Sequence, residues 1–273
     1  MALRGILVAL LVGVVQGVFE WLPISSEGNV ALVLTLLNEN PAVAVQLALF
    51  LHLGTAVAAT VYYRALLVDL LGDLGTWNRA APFGRDSATL SFLLAATVVS
   101  GVVGIGAYVI LLDLATRLAG GAFIVLIGVL LVLTGLVQRL AGGVDLGDRA
   151  RPDGLDAVLV GIGQGLAILP GISRSGTTLS LLLLRGHEGE SAFTLSFVLS
   201  IPAAVGAALL TVVDVGGLPG IDPGPALVAL GSAAVVGYLT IDVLMRLVQR
   251  IAFWVACLAI GALAIVGGVL VLG

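Results

Sequence analysis

Hydrophobic residues run along this chain in long, nearly unbroken blocks rather than in the short periods of a water-soluble fold. A bilayer core of about 30 Å asks for roughly 20 apolar residues per helix. Six blocks meet that length, at about 41–63, 88–112, 118–137, 192–213, 224–245 and 251–272, and each predicts a transmembrane helix. Two further stretches, about 4–36 and 155–184, are also apolar but are broken by Pro, Gly, Ser and charge. They read as pairs of half-helices that dip into the membrane and turn back. Irregular backbone at that depth is tolerated only where protein or a watery cavity surrounds it.

The segments between the blocks carry the charge. The linker 64–87 holds Arg64, Arg79 and Arg85, the linker 139–156 holds Arg139, Arg149 and Arg151, and Arg246 and Arg250 bracket another turn. The linker 214–223 has Asp214 and Asp222 but no Arg, and the turn 37–41 has only Glu39. Positive charge favours the cytoplasmic side, so loops 64–87, 139–156, 185–191 and 246–250 are expected inside and the C-terminus outside. The first broken stretch then enters from outside and the second from the cytoplasm. Each is followed by three spans, an odd number, which inverts the second half relative to the first. Such a repeat places a shared site near the midplane, where the broken helices meet.

The expected fold is therefore an all-α polytopic membrane protein with six transmembrane helices and two re-entrant helix pairs. Its inverted-topology repeats are 1–138 (re-entrant 4–36 plus three helices) and 139–273 (re-entrant 155–184 plus three helices). Laying Gln16 on Gln164 without gaps puts Gly17 on Gly165, Ile24 on Ile172, Ser25 on Ser173 and Gly28 on Gly176. These identities fall at the two interrupted segments, where a repeat needs them.

Composition narrows the function classes. Of 273 residues 60% are hydrophobic and 10% charged, with a mean hydropathy of +1.20. Soluble domains carry about 25% charged residues, so this chain cannot cover a water-facing surface. The net charge is -4 and all twelve basic residues are Arg. They form no basic stripe interleaved with aromatics, which excludes a nucleic-acid partner. The bilayer is the expected partner, with assembly into a homodimer left open. The single cysteine, Cys257, has no disulfide partner within the chain and is expected as a small buried hydrophobe. His52 and His187 lack the paired spacing of a zinc site. Arg4 and the apolar run after it resemble a signal peptide, but Gln16, Glu20 and Pro23 follow without a small-residue cleavage site. Residues from 1 onward are therefore expected in the mature protein.

The candidate chemistry lies in the broken stretches. Gln16 and Glu20, four apart, share one helix face, and Pro23 ends that helix. Ser25 and Ser26 follow the break, where hydroxyls and free amides cap the next half-helix. The second stretch, Leu169 to Thr178, repeats the device with a cation added. A Gly-rich turn entering a helix presents free N–H groups and a positive dipole end, which suits phosphate. Arg174 can grip phosphate oxygens bidentately, the amides from Ser173 to Gly176 face the same way, and Ser173, Ser175 and Thr178 add hydroxyls. An ionised side chain at membrane depth costs at least ~2.5–3.5 kcal/mol, which makes Glu20 and Arg174 functional candidates. The structural alternative is an ion pair that only locks the repeats together.

Other polar residues take simpler expectations. Asp242 and Arg246 form a helix-end pair, and His187, Glu188 and Glu190 lie in a polar loop. Pro202 kinks its helix. His52 is foremost a hydrogen-bonded packing residue and otherwise a group beside the site.

On these motifs the chain resembles the undecaprenyl pyrophosphate phosphatase family, the BacA type. Gln16, Glu20 and Leu22-Pro23-Ile24-Ser25-Ser26 match one family signature, and Pro170 to Thr178 matches the other. Leu51-His52-Leu53-Gly54-Thr55 with Tyr63-Arg64, Phe193 through Ile201-Pro202, and Gly237-Tyr238 also look like family segments. The resemblance implies a multi-pass enzyme of the cell (plasma) membrane. Such an enzyme releases phosphate from a C55-type polyprenyl diphosphate and returns the monophosphate carrier to envelope glycan synthesis. It implies a divalent cation, Mg²⁺ or Ca²⁺, and a site at Gln16, Glu20, Ser25, Ser26, Ser173, Arg174 and Thr178.

One position departs from the family pattern. A His follows Ser-Ser-x-small in the family, and Asn29 stands there in this chain, beside an unusual Glu27. Asn cannot transfer a proton near neutral pH, so Glu27 is expected to supply the acid/base or metal-ligand function. Arg174 and the amides of Ser173–Gly176 are assigned to the phosphates, and Glu20 with Gln16 to the cation or the nucleophile. The nucleophile is Ser26 or an activated water. The rival reading is a carrier of polyprenyl phosphate head groups, since midplane broken helices also build transporters.

Overall fold

The computed structural model describes residues 2–37, 39–118, 120–143, 147–248 and 250–272, with side chains from residue 5. The expected linkers at 37–41, 139–156 and 246–250 and the span from 118 each include residues outside this set, as does the side chain of Arg4. The described residues form α1 (Ala2–Phe19), α2 (Ser26–Leu36), α3 (Pro41–Tyr62), α4 (Arg64–Asp73), α5 (Ala88–Arg117), α6 (Gly120–Ala141), α7 (Gly154–Leu166), α8 (Arg174–Leu184), α9 (Gly189–Val215), α10 (Pro223–Val248) and α11 (Phe253–Leu272).

The six predicted spans appear as α3, α5, α6, α9, α10 and α11, each long and apolar enough to cross a bilayer. The chain is a multi-pass membrane protein. The two broken stretches are the pairs α1/α2 and α7/α8. Gly163 of α7 lies against Thr177 and Leu181 of α8, so that pair folds back on itself. Helix α4 is a correction, since 64–87 was expected only as a linker. It has ten residues, of which only Leu70 is buried, and a short surface helix leaves no apolar block to detect.

Glycines bring the spans together where lipid supplies no hydrophobic drive between helices. Gly121 and Gly128 of α6 face Gly268 and Gly261 of α11 so closely that a Cβ on Gly128 would stand 2.7 Å from the Gly261 carbonyl. Helix α1 packs along α10 as α7 packs along α5, and α3 meets both α9 and α10. One end of the molecule gathers the polar linkers. Phe83 touches Gly154, Ser191 donates to the Ala150 carbonyl, and Arg149 bridges to His187. At the other end Asp214 accepts from Tyr108 at 3.0 Å and from Gln46 at 3.2 Å. Asp242 and Arg246 are paired as expected, at 2.5 Å.

His187 is a second correction. It is fully buried rather than in a solvated loop, with Nε2 3.0 Å from Asp156. Asp156 also accepts from Arg149 at 2.9 Å, Arg185 at 2.7 Å and the Asp153 amide at 2.9 Å. The partners come from segments some thirty residues apart, which local pattern does not reveal. Burial by itself raises the Asp156 carboxyl, but Arg185, the Asp153 amide and His187 outweigh it and hold the group at about 2. Ion pairing therefore stabilises the fold fully above the ordinary Asp value of 3.8 and is lost as pH falls from there toward about 2. Thermal unfolding in detergent is expected to show the wild type losing on the order of 2 kcal/mol across that window relative to Asp156→Asn. Parallel curves for the two proteins would remove Asp156 from the acid transition.

Candidate active site

The first turn joins α1 to α2. The Glu20 amide still donates to the Gln16 carbonyl at 3.0 Å, and Pro23, without an N–H, stops the ladder. Ser25 is the one non-glycine residue with positive φ (61°) among the described residues. That left-handed conformation costs about 1 kcal/mol or more and persists where the surroundings enforce it. Its hydroxyl accepts from the Gly28 amide at 3.2 Å, capping α2, and from the Gly171 amide of the second turn at 2.9 Å. Asn29 donates from Nδ2 to the Ile24 and Ser25 carbonyls at 2.7 and 2.8 Å. It braces the turn.

The second turn joins α7 to α8. Gly171 has φ 109°, and a Cβ there would lie 2.5 Å from the Ile127 carbonyl, so the turn takes only glycine at that position. Ser173 caps α8 by accepting from the Gly176 amide at 3.1 Å, and Arg174 is the first residue of α8.

Where the turns meet, a buried polar cluster forms. Glu20 Oε1 pairs with Arg174 Nη2. Glu20 Oε2 accepts from Gln16 Nε2 at 2.8 Å and from Ser26 Oγ at 2.7 Å, and it lies 3.3 Å from His52 Nε2. Glu27 Oε2 is 3.1 Å from Ser26 Oγ and 3.7 Å from His52 Nε2. His52 Nδ1 is 2.9 Å from the Ala48 carbonyl. A carbonyl only accepts, so Nδ1 carries the hydrogen and Nε2 is directed at the two carboxylates. Gln16 Oε1, Glu27 Oε1 and Arg174 Nη1 are buried without a hydrogen-bond partner.

Three members of the cluster, Glu27, His52 and Arg174, line a cavity of about 390 Å³ between α3, α5, α7 and α9, while Glu20 and Ser26 share with Glu27 and Arg174 a separate small pocket. Gly104, Ala207 and Leu210 belong to the apolar wall of the larger cavity. Gln164 and Ser100 also line it, joined at 3.3 Å, with Gln164 Oε1 unpartnered.

Gln16, Glu20, Ser26, Glu27 and Arg174 are thus brought together, while other predicted residues take supporting places. The Ser25 and Ser173 hydroxyls hold backbone amides, and Ser175 reaches the Leu22 carbonyl at 3.4 Å. Gly176 packs against Gln138, and Thr178 is bonded to Ser196 at 2.6 Å behind Arg174. His52 is hydrogen-bonded within its helix through Nδ1, as expected foremost, and its Nε2 also stands beside Glu20 and Glu27. Gln164 was visible in the sequence as the counterpart of Gln16, but its place in the cavity was not. Cys257 is buried, as expected.

Comparison with known proteins follows the same lines. The family described as bacitracin resistance protein BacA matches residues 9–266. An undecaprenyl-diphosphatase of Haloarcula marismortui is 56% identical over 97% of this chain and 98% of its own length. Proteins of that same name from Methanothrix thermoacetophila and Methanopyrus kandleri are each 38% identical, over 94% of both chains in either case. These relatives are named for hydrolysis rather than carriage. With its two turns, its buried Glu20–Arg174 pair and a match over nearly its whole length, this chain belongs to the BacA family.

Proposed function

We propose that this chain hydrolyses undecaprenyl diphosphate to the monophosphate and inorganic phosphate in the plasma membrane, recycling the lipid carrier for envelope glycan synthesis. The observation that carries this reading is Arg174 Nη1, a buried cationic nitrogen without a partner on a residue that lines a largely apolar cavity. A diphosphate head answers the guanidinium, and a polyprenyl tail answers the apolar wall. Phosphoryl transfer asks for charge stabilisation and an aligned nucleophile.

The 2.7 Å bond from Ser26 to Glu20 supports Ser26 over a free water as nucleophile. Its Oγ attacks the terminal phosphorus while its proton passes to Glu20. The bridging P–O bond breaks and its electron pair leaves on undecaprenyl monophosphate. Glu20 passes its proton to that leaving group through His52. Water then cleaves the Oγ–P bond, its oxygen bonding to phosphorus while its proton passes to Glu20 and from there to the departing Ser26 Oγ, and inorganic phosphate leaves. Asn29 is occupied with the turn, so His52 takes the proton-transfer place that the family gives to a neighbouring His.

A divalent cation fits the oxygens present. Gln16 Oε1 and Glu27 Oε1 are buried and unpartnered beside Glu20. No three His, Cys, Asp or Glu side chains among the described residues form a cage, and Mg²⁺ is typically held by one or two carboxylates with substrate phosphates. Glu20, Gln16 and Glu27 would hold Mg²⁺ or Ca²⁺, which would supply neutralising charge for the phosphate oxygens.

The chain is also read as two inverted repeats, 1–138 and 139–273. The matched packing of α1 on α10 and α7 on α5 supports this, as do the α3–α9 and α6–α11 pairs between equivalent helices.

Phosphate release from undecaprenyl diphosphate in detergent tests the whole reading. Turnover is expected from the wild type, lost with EDTA, restored by Mg²⁺ or Ca²⁺, and absent in Glu20→Ala. A folded wild-type protein that releases no phosphate refutes the activity, and EDTA-insensitive release refutes the cation.

A further inference from the structure

The two turns are held from behind by one helix that contributes nothing to the reacting cluster. On α6, Thr134 and Gln138 are one turn apart and share a face. Thr134 Oγ1 donates to the Gly171 carbonyl at 2.8 Å and accepts from the Ser173 amide at 3.2 Å. Gln138 Nε2 donates to the Pro23 carbonyl at 2.5 Å, and Cys257 donates to the same oxygen at 3.2 Å.

Pro23 and Gly171 occupy equivalent positions when Gln16 is laid on Gln164. Three residues beyond each held carbonyl stands a reacting group, Ser26 after Pro23 and Arg174 after Gly171. A break in a helix frees carbonyls that cost several kcal/mol if left unsatisfied in an apolar surround. Satisfying both from adjacent turns of one rigid helix ties the two breaks to a common frame. Ile127 and Leu130 of α6 leave no room for a Cβ at Gly171, and the Gln138 amide lies against Gly176. The same face therefore sets position as well as supplying hydrogen bonds.

We infer that Thr134 and Gln138 are positioning residues that fix Ser26 relative to Arg174. This rests on the phosphatase reading above. Displacement of a reacting group by about 1 Å can cost on the order of a hundredfold in rate.

Turnover, KM and thermal stability in detergent test the inference with Thr134→Val, which keeps shape but lacks the hydroxyl, and Thr134→Ser, which keeps it. Thr134→Val is expected to lower kcat by about ten- to a hundredfold with KM within about twofold, and Thr134→Ser to stay within about twofold of wild type. In an Arg174→Lys background Thr134→Val is expected to cost much less than it does alone, because the residue acts through Arg174. Gln138→Asn, which withdraws the amide from Pro23 by one methylene, is expected to lower kcat likewise and decides the matter if Thr134→Val does not fold. A wild type without turnover refutes the phosphatase reading itself. An active wild type whose Thr134→Val or Gln138→Asn variant keeps its kcat, with or without a lower melting temperature, overturns the positioning role.

Discussion

Arg174→Ala is expected to release phosphate from undecaprenyl diphosphate about a thousandfold more slowly than the wild type, the scale lost when a single arginine is withdrawn from a phosphoryl-transfer site. Among the described residues, Arg174 is the only Arg lining the cavity. Its Nη2 is paired with Glu20 while Nη1 has no partner, so one planar group can hold the carboxylate and reach a phosphate oxygen together. Lysine concentrates its charge at one point and lacks the fork, so Arg174→Lys is expected to recover less than a tenth of the loss. Stability must be measured beside turnover. Removing Arg174 leaves the buried Glu20 carboxylate uncompensated, at a cost of about 3–5 kcal/mol. Adding Glu20→Gln to Arg174→Ala removes that charge and is expected to restore the melting temperature without restoring turnover. A folded Arg174→Ala protein with near wild-type turnover would remove Arg174 from the reaction.

His52→Gln is expected to lower kcat by about two to three orders of magnitude, the usual range for a lost proton-transfer group. Glutamine keeps the length and a donor but cannot carry a proton between groups. His52 is directed by its Ala48 bond, so Nε2 faces Glu20 at 3.3 Å and Glu27 at 3.7 Å. Glu27→Gln makes the comparison. If Glu27 itself transferred the proton, as its place beside Asn29 suggests, Glu27→Gln would match His52→Gln in kcat. If Glu27 instead helps to hold the cation, its variant is expected to lose activity that excess Mg²⁺ partly restores, while His52→Gln shows no such rescue. Unchanged kcat in His52→Gln would return His52 to a packing role.

Much of the site was legible because its parts are local. Gln16 and Glu20 are four residues apart, and the shared face implied by that spacing becomes a 2.8 Å bond. Pro23 and the Pro170-Gly171 pair mark two helix breaks, since missing donors and positive φ act within a turn. Residues whose partners lie far along the chain were not legible in the same way. Within Leu51-His52-Leu53 nothing local distinguishes a site histidine from a packing one. Its partners Glu20 and Glu27 reach it only through the docking of α1 and α2 on α3. His187 was misjudged for the same reason, because its partners, Arg149 and Asp156, lie more than thirty residues earlier in the chain.

The sequence by itself determined that this is a membrane protein with six spans, because helix length in a bilayer is set by the run of apolar residues. It also determined where the helices break, because Pro, Gly and buried charge act on their own neighbourhood. Only the tertiary structure decided which groups the breaks bring together. Ser26 is joined to Glu20, Arg174 pairs with Glu20 and lines the cavity, His52 stands beside Glu20 and Glu27, and α6 holds both turns. These relations depend on how glycine-lined helices cross, and side-chain periodicity along one helix carries no record of the face its partner presents.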